Sequence, residues 1–137
     1  FTMQEVAADL HEGGAHVAKV VMAWADGRLA MLVLPATAHV DFDRAATMLS
    51  AKHARRARED EFKFKFPDCD VGAMPPFGNL YEVPVYLDHS LTREREIVFQ
   101  AGSHRDTMKV ALADYQRLAA PTVGDFIAQP ESAPARS

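Results

Sequence analysis

Val17-Ala18-Lys19-Val20-Val21-Met22-Ala23-Trp24-Ala25, then Asp26-Gly27, then Arg28-Leu29-Ala30-Met31-Leu32-Val33-Leu34 is a pair of β-rich runs joined by two residues. Asp-Gly suits the tight turns whose twist matches that of the flanking strands, so the stretch is expected to form a β-hairpin. Neither run alternates cleanly with polar residues, which predicts strands inside a sheet covered on both faces. One charge, Lys19, interrupts the first run, where it is costly unless it is paired or faces a cavity.

Upstream, Thr2 opens a segment with Glu5 three places on and Met3, Val6, Ala7 and Leu10 at helical spacing, predicting a helix that ends at Gly13-Gly14. Downstream, Asp41 or a residue just after it caps a helix through Leu49, with Phe42, Ala45, Ala46 and Leu49 on one face. Glu59 to Phe66 reads as a short helix, although Phe62, Phe64 and Phe66 alternate with Lys63 and Lys65. Val71 to Asn79 contains Pro75-Pro76 between Gly72 and Gly78 and is expected to be a stiff loop. Val83–Leu87, Glu96–Ala101 and Thr107–Leu112 read as strands and Asp114–Leu118 as a helix. The expectation is a single α+β or mixed α/β domain over residues 1–128, followed by a frayed, Pro- and Ser-rich tail over 129–137.

With 137 residues, 48% apolar and 25% charged, the chain can bury one core. Its longest apolar stretch, Leu29 to Pro35, is far short of the roughly 20 residues that span a bilayer, so no membrane role is expected. The single cysteine, Cys69, excludes an internal disulfide and a CxxC site, and a reducing, cytoplasmic setting fits. A net charge of −4 opposes broad duplex binding. Between Arg44 and Lys65, however, seven cations face three acids, leaving +4 there and −8 elsewhere. Such a run is ordinarily a solvated helix face; its functional alternative is a small footprint for a polyanion.

No nucleophile elbow, P-loop, dinucleotide fingerprint or H-E-x-x-H motif occurs, and the six histidines are scattered, so neither metal nor cofactor is expected. Lys19 can be a snorkelling strand-end lysine, or a cation that holds a phosphate or a developing oxyanion. Gly72-Ala73-Met74-Pro75-Pro76-Phe77-Gly78-Asn79 can be a rigid connector, or a loop whose glycine admits close approach and whose Ala73 and Met74 amides point outward as oxyanion donors. Gly102-Ser103-His104 can be a polar turn or a wall of the same pocket. Ser103 and His104 are neighbours that face apart if the segment is extended. Cys69, between Asp68 and Asp70, is a poor nucleophile because the flanking carboxylates oppose negative charge on sulfur.

In this order and spacing, Lys19 in its apolar strand, Leu32-Val33-Leu34-Pro35-Ala36, the G-x-x-x-P loop Gly72–Pro76 with Phe77-Gly78, Pro84-Val85-Tyr86-Leu87-Asp88, and Ala101-Gly102-Ser103-His104 resemble the YbaK/prolyl-tRNA synthetase-associated editing domain up to about Ile127. The resemblance implies a mixed α/β fold with a curved central sheet and hydrolysis of mischarged aminoacyl-tRNA by a free-standing deacylase. It makes Lys19 the active-site lysine and Gly72, Ala73, Met74 and Pro76 the loop that positions ester and water. His104 is a looser match. Phe77, Asn79, Gly102 and Ser103 would contact substrate, and Lys52, Arg55, Arg56 and Arg58 the tRNA backbone. The single-stranded acceptor end would stack on Phe77 or Tyr81. A tRNA synthetase or elongation factor would be a transient partner. Where family members often carry a hydroxyl or amide after the lysine, this chain has Val20. A non-catalytic aminoacyl-tRNA or nucleic-acid binding module, and an interaction domain of a larger assembly, are the alternatives.

Overall fold

The computed structural model describes residues 17–129. The helix expected over Thr2–Leu10 and the tail beyond Gln129 lie outside the described residues. Strand β1 (Ala18–Ala25) and strand β2 (Arg28–Pro35) form the expected hairpin, in register from Ala25↔Arg28 to Ala18↔Pro35. Asp26 at φ 48° and Gly27 at φ 89° make the turn, and the Asp26 carboxylate also accepts the Lys52 and His53 amides at 2.8 and 3.1 Å. That carboxylate fastens the next segment to the hairpin. Helix α1 (Phe42–Met48) starts where Asp41 accepts the Asp43 and Arg44 amides at 3.0 and 3.1 Å, a cap that stabilises the helix by about 1 kcal/mol.

The basic run departs from the helical expectation. Strand β3 (Ala54–Arg56) pairs antiparallel with β1, but only with Ala23–Ala25. Helix α2 (Glu59–Phe62) and the 3₁₀ turn Lys63–Lys65 follow, as the acidic opening favours. Strand β4 (Val85–Asp88) lies parallel to β2. Strands β5 (Glu96–Gln100) and β6 (Thr107–Ala111) form a separate antiparallel ribbon, tied to the start of β1 through Val17↔Val98. Helix α3 (Leu112–Ala119) precedes a strand that sequence reasoning missed, β7 (Thr122–Gly124), parallel to β4. The mixed sheet runs β3-β1-β2-β4-β7.

Both faces of the hairpin are covered, which explains its lack of polar alternation. On one face Ala18, Met22, Met31 and Val33 pack with Phe62, Phe66, Phe99 and Tyr115. On the other, Val21, Ala23, Leu32 and Leu34 pack with Ala45 and Phe126. Truncating Leu32 or Leu34, both fully buried, costs about 2–5 kcal/mol. Asp88 is buried too, and its carboxylate accepts the Ser90 amide and hydroxyl (3.0 and 2.6 Å) and the Phe126 amide (3.0 Å). It joins the end of β4 to the segment that follows β7.

Candidate active site

Antiparallel pairing lets only alternate residues bond toward a given neighbour. The Val17 carbonyl accepts from Ala36 at 2.8 Å on the β2 side, whereas the Met22 carbonyl accepts from Ala57 at 2.8 Å on the other. By the same alternation Val20 directs its backbone groups away from β2. Because the pairing with β3 stops at Ala23, no strand among the described residues covers the edge of β1 at Val20, and the Gly72–Met74 loop approaches it. A cavity of about 30 Å³ lies there, bounded by Lys19, Val20, Gly72, Met74 and Gln100. It adjoins a groove of about 220 Å³ that shares Val20, Gly72 and Met74 and extends to Arg56 and Phe62. The small cavity has room for a water molecule, and the groove for a small side chain.

Lys19 is half-buried, and burial followed by repulsion from Arg56 holds its pKa below the ordinary 10.5. Arg56 stands opposite Ala23, which lies on the same face of β1 as Lys19. Neither cation has an acidic partner among the described residues. Two cations on one face, with no acidic partner among the described residues, favour an anionic ligand.

The loop is laced to the turn after β5. The Asp70 amide donates to the Gly102 carbonyl (2.8 Å), and the Gly102 amide to the Ala73 carbonyl (2.9 Å). Gly72 and Gly102 take φ +85° and +98°, where a side chain is strained. The amides do not all face out as expected: Ala73 donates to the Asp70 carbonyl at 3.0 Å. The amides of Gly72 and Met74 have no acceptor among the described residues, and both residues line the cavity.

Gly102-Ser103-His104 is bent rather than extended. The Ser103 hydroxyl donates to Asp106 at 2.6 Å and accepts the Arg105 and Asp106 amides, so it braces its own turn. His104 Nε2 lies 2.9 Å from the Val71 carbonyl, which can only accept, so Nε2 carries the proton. Nδ1 then accepts the Gln100 amide across 3.5 Å. The His104 backbone amide meets the Asp70 carboxylate at 3.2 Å, and a Cβ on Gly72 would sit 3.6 Å from the ring. His104 is thus adjacent to the loop and clamps it.

Other sequence candidates are engaged elsewhere. Pro76 is buried and its carbonyl accepts the Tyr115 hydroxyl at 2.8 Å. Phe77 packs edge-on against Phe99 and Tyr115, and Tyr81 against Phe66, so neither ring stands free. Asn79 lies in a 3₁₀ turn and donates to the Leu118 carbonyl at 3.0 Å. Lys52 and Arg58 are exposed, and Arg58 pairs with Asp60 and Glu61. Arg55 grips Glu61 through two bonds of 2.9 and 2.7 Å and lies 5.9 Å over Trp24. Those contacts hold the Glu61 carboxyl down to about 2. Gln100, Asp70 and Tyr115 support the site but gave no motif in the sequence, because each acts through a partner distant along the chain.

No membrane-crossing helix occurs among the described residues. No curated protein matches the chain. Its fold is similar to that of a candidate trans-editing enzyme for prolyl-tRNA synthetase, with TM-score 0.82, 19% identity, and 93% of this chain and 80% of that one covered. It is also similar to a scaffold structure from computational epitope backbone grafting, with TM-score 0.83, 17% identity, and 94% and 82% covered. At such identities the likeness shows the fold alone. The family model for the aminoacyl-tRNA editing domain matches residues 1–118, most of the chain. The chain therefore belongs to the aminoacyl-tRNA editing domain family, of YbaK type.

Proposed function

We propose that the protein hydrolyses the ester of mischarged aminoacyl-tRNA in trans, with water as the nucleophile and no covalent enzyme intermediate. The observation that carries this reading is the small cavity where Lys19 meets the amides of Gly72 and Met74, which have no acceptor among the described residues. Ester hydrolysis needs a positioned water, donors for the tetrahedral oxyanion and an acceptor for the water proton. The two loop amides serve as donors, and the Lys19 ammonium holds the adjacent phosphate or the developing negative charge.

Among the described residues no carboxylate, histidine or cysteine side chain lines the cavity, which supports the free hydroxyl beside the ester on the terminal ribose as the proton acceptor. Water oxygen bonds to the carbonyl carbon, and its proton passes through that hydroxyl to the departing ribose oxygen. Collapse of the intermediate breaks the ester bond and releases amino acid and tRNA. The groove toward Phe62 takes the amino-acid side chain, and Arg56 meets backbone phosphate at its mouth.

The test is deacylation of tRNA charged in turn with Ala, Cys, Ser, Thr and Pro. Turnover of at least one ester, lost in Lys19→Ala, supports the reading. Tight binding of every charged tRNA without hydrolysis would return the chain to a binding module.

A further inference from the structure

A further cavity lies away from the one that holds Lys19. It is a groove of about 610 Å³ at the turn end of the hairpin, floored by Trp24, Leu29 and Pro84 and rimmed by Phe64, Arg28 and Lys65. Trp24 is five residues along β1 from Lys19, about 17 Å at the rise of a strand. We propose that this groove is a second RNA contact, which takes an unpaired nucleotide with its base against Phe64 and Trp24 and its flanking phosphates at Arg28 and Lys65. The proposal goes beyond the deacylation reading and rests on it only for the source of the RNA.

Three observations favour a nucleotide. Phe64 is 67% exposed, the most open aromatic of those the structure describes as exposed, and it stands between Lys63 and Lys65. An isolated ring flanked by cations suits base stacking with phosphate contact, and stacking tolerates any base. Trp24 is half-buried with the Arg55 guanidinium over its ring, so the indole is already held when a ligand arrives.

The charge pattern agrees. Of the two carboxylates among the described residues at the groove, Glu61 is bound by Arg55 and Arg58, which leaves Glu82 against Arg28 and Lys65. The volume is in the range that holds a nucleotide-sized ligand. Phe77 and Tyr81 are packed against other rings, so the stacking surface lies here instead.

Because the chain has one tryptophan, Trp24 reports on this groove directly. The experiment titrates the whole chain with an uncharged, unstructured RNA tetranucleotide and follows Trp24 fluorescence. A saturable change is expected. Phe64→Ala should weaken it by at least about fivefold, the lower end for loss of one stacked base. Arg28→Ala with Lys65→Ala should reduce the salt slope by about 1.4, two phosphates at roughly 0.7 each.

Gly72→Val, which alters the loop beyond this groove, should still bind the tetranucleotide while losing deacylation, so failure of one reading leaves the other standing. An unresponsive Trp24, or binding indifferent to Phe64→Ala, overturns the proposal. So does a fluorescence change that follows protein concentration rather than RNA, which would assign the groove to a second copy of the chain.

Discussion

Arg55 and Arg56 are consecutive and chemically identical, yet they occupy different surroundings. Arg55 faces the Trp24 side of β1, where Glu61 neutralises it. Arg56 faces the Lys19 side, without an acid among the described residues, and after burial its repulsion is the second cause that lowers the Lys19 pKa. A strand sends successive side chains to opposite faces, so the basic run divides into a clasp that holds α2 to β3 and a cation beside the site. Charge in a sequence window says little until the period of the backbone is known.

The comparison breaks most completely at the Gly72 loop, which lines the cavities of Lys19 and Arg56 but not the Trp24 groove. Gly72→Val forces a branched residue to φ +85° beside His104 and should abolish deacylation, read as a loss of at least about 10³-fold with the fold retained by circular dichroism. Lys19→Ala should lower kcat/KM by about 10²-fold or more, and a folded variant with normal turnover would remove Lys19 from the reaction.

Next comes the pair itself. Arg56→Ala should raise KM several-fold and lower the salt slope by roughly 0.7–0.9, whereas Arg55→Ala should leave kcat unchanged and act on KM only through the Trp24 groove. The sign on pH follows from charge. The Lys19 cation is lost as pH rises through its depressed pKa, so removing the repelling Arg56 should shift the alkaline limb of activity to higher pH. A limb that does not move would show that the two cations are uncoupled in function.

For Arg55 the corresponding measurement is the carboxyl titration of Glu61 by NMR. Its midpoint should lie at about 2 and return toward 4.5 in Arg55→Ala. The stability it lends is present above the unfolded value and is lost as pH falls through about 2. The smallest effects belong to the hydroxyl and the thiol. Ser103→Ala and Cys69→Ala should each stay within about tenfold of the parent, since the proposed mechanism forms no acyl-enzyme on either, and an aminoacyl adduct on either by mass spectrometry would sink it.

The hairpin was legible because Asp26-Gly27 encodes its turn locally, and α1 because Asp41 is followed by apolar residues at helical spacing. The backbone of the Gly72 loop was legible from its glycine and prolines. What was not legible depends on distant partners. Strand β7 is three residues long and mostly exposed, and its Gly124 lies where a Cβ would press on the Met48 side chain, a partner distant in sequence. The Ala73 amide turns inward onto Asp70, and the Phe77 and Tyr81 rings turn inward onto other aromatics, choices that no local pattern encodes.

The sheet order also implies a sequence of assembly. β1 and β2 meet through two residues, whereas the parallel joints β2–β4 and β4–β7 close long intervening segments and carry a larger loop-closure entropy. Lys19 is on the early joint, and the Gly72–Met74 loop is within the segment closed later. Substitutions in the hairpin should therefore slow folding, with φ-values well above those measured at Val85 or Val123, where substitutions should mainly speed unfolding. In refolding, Trp24 fluorescence should recover no later than deacylation, because the cavity is complete only when the last strands have joined.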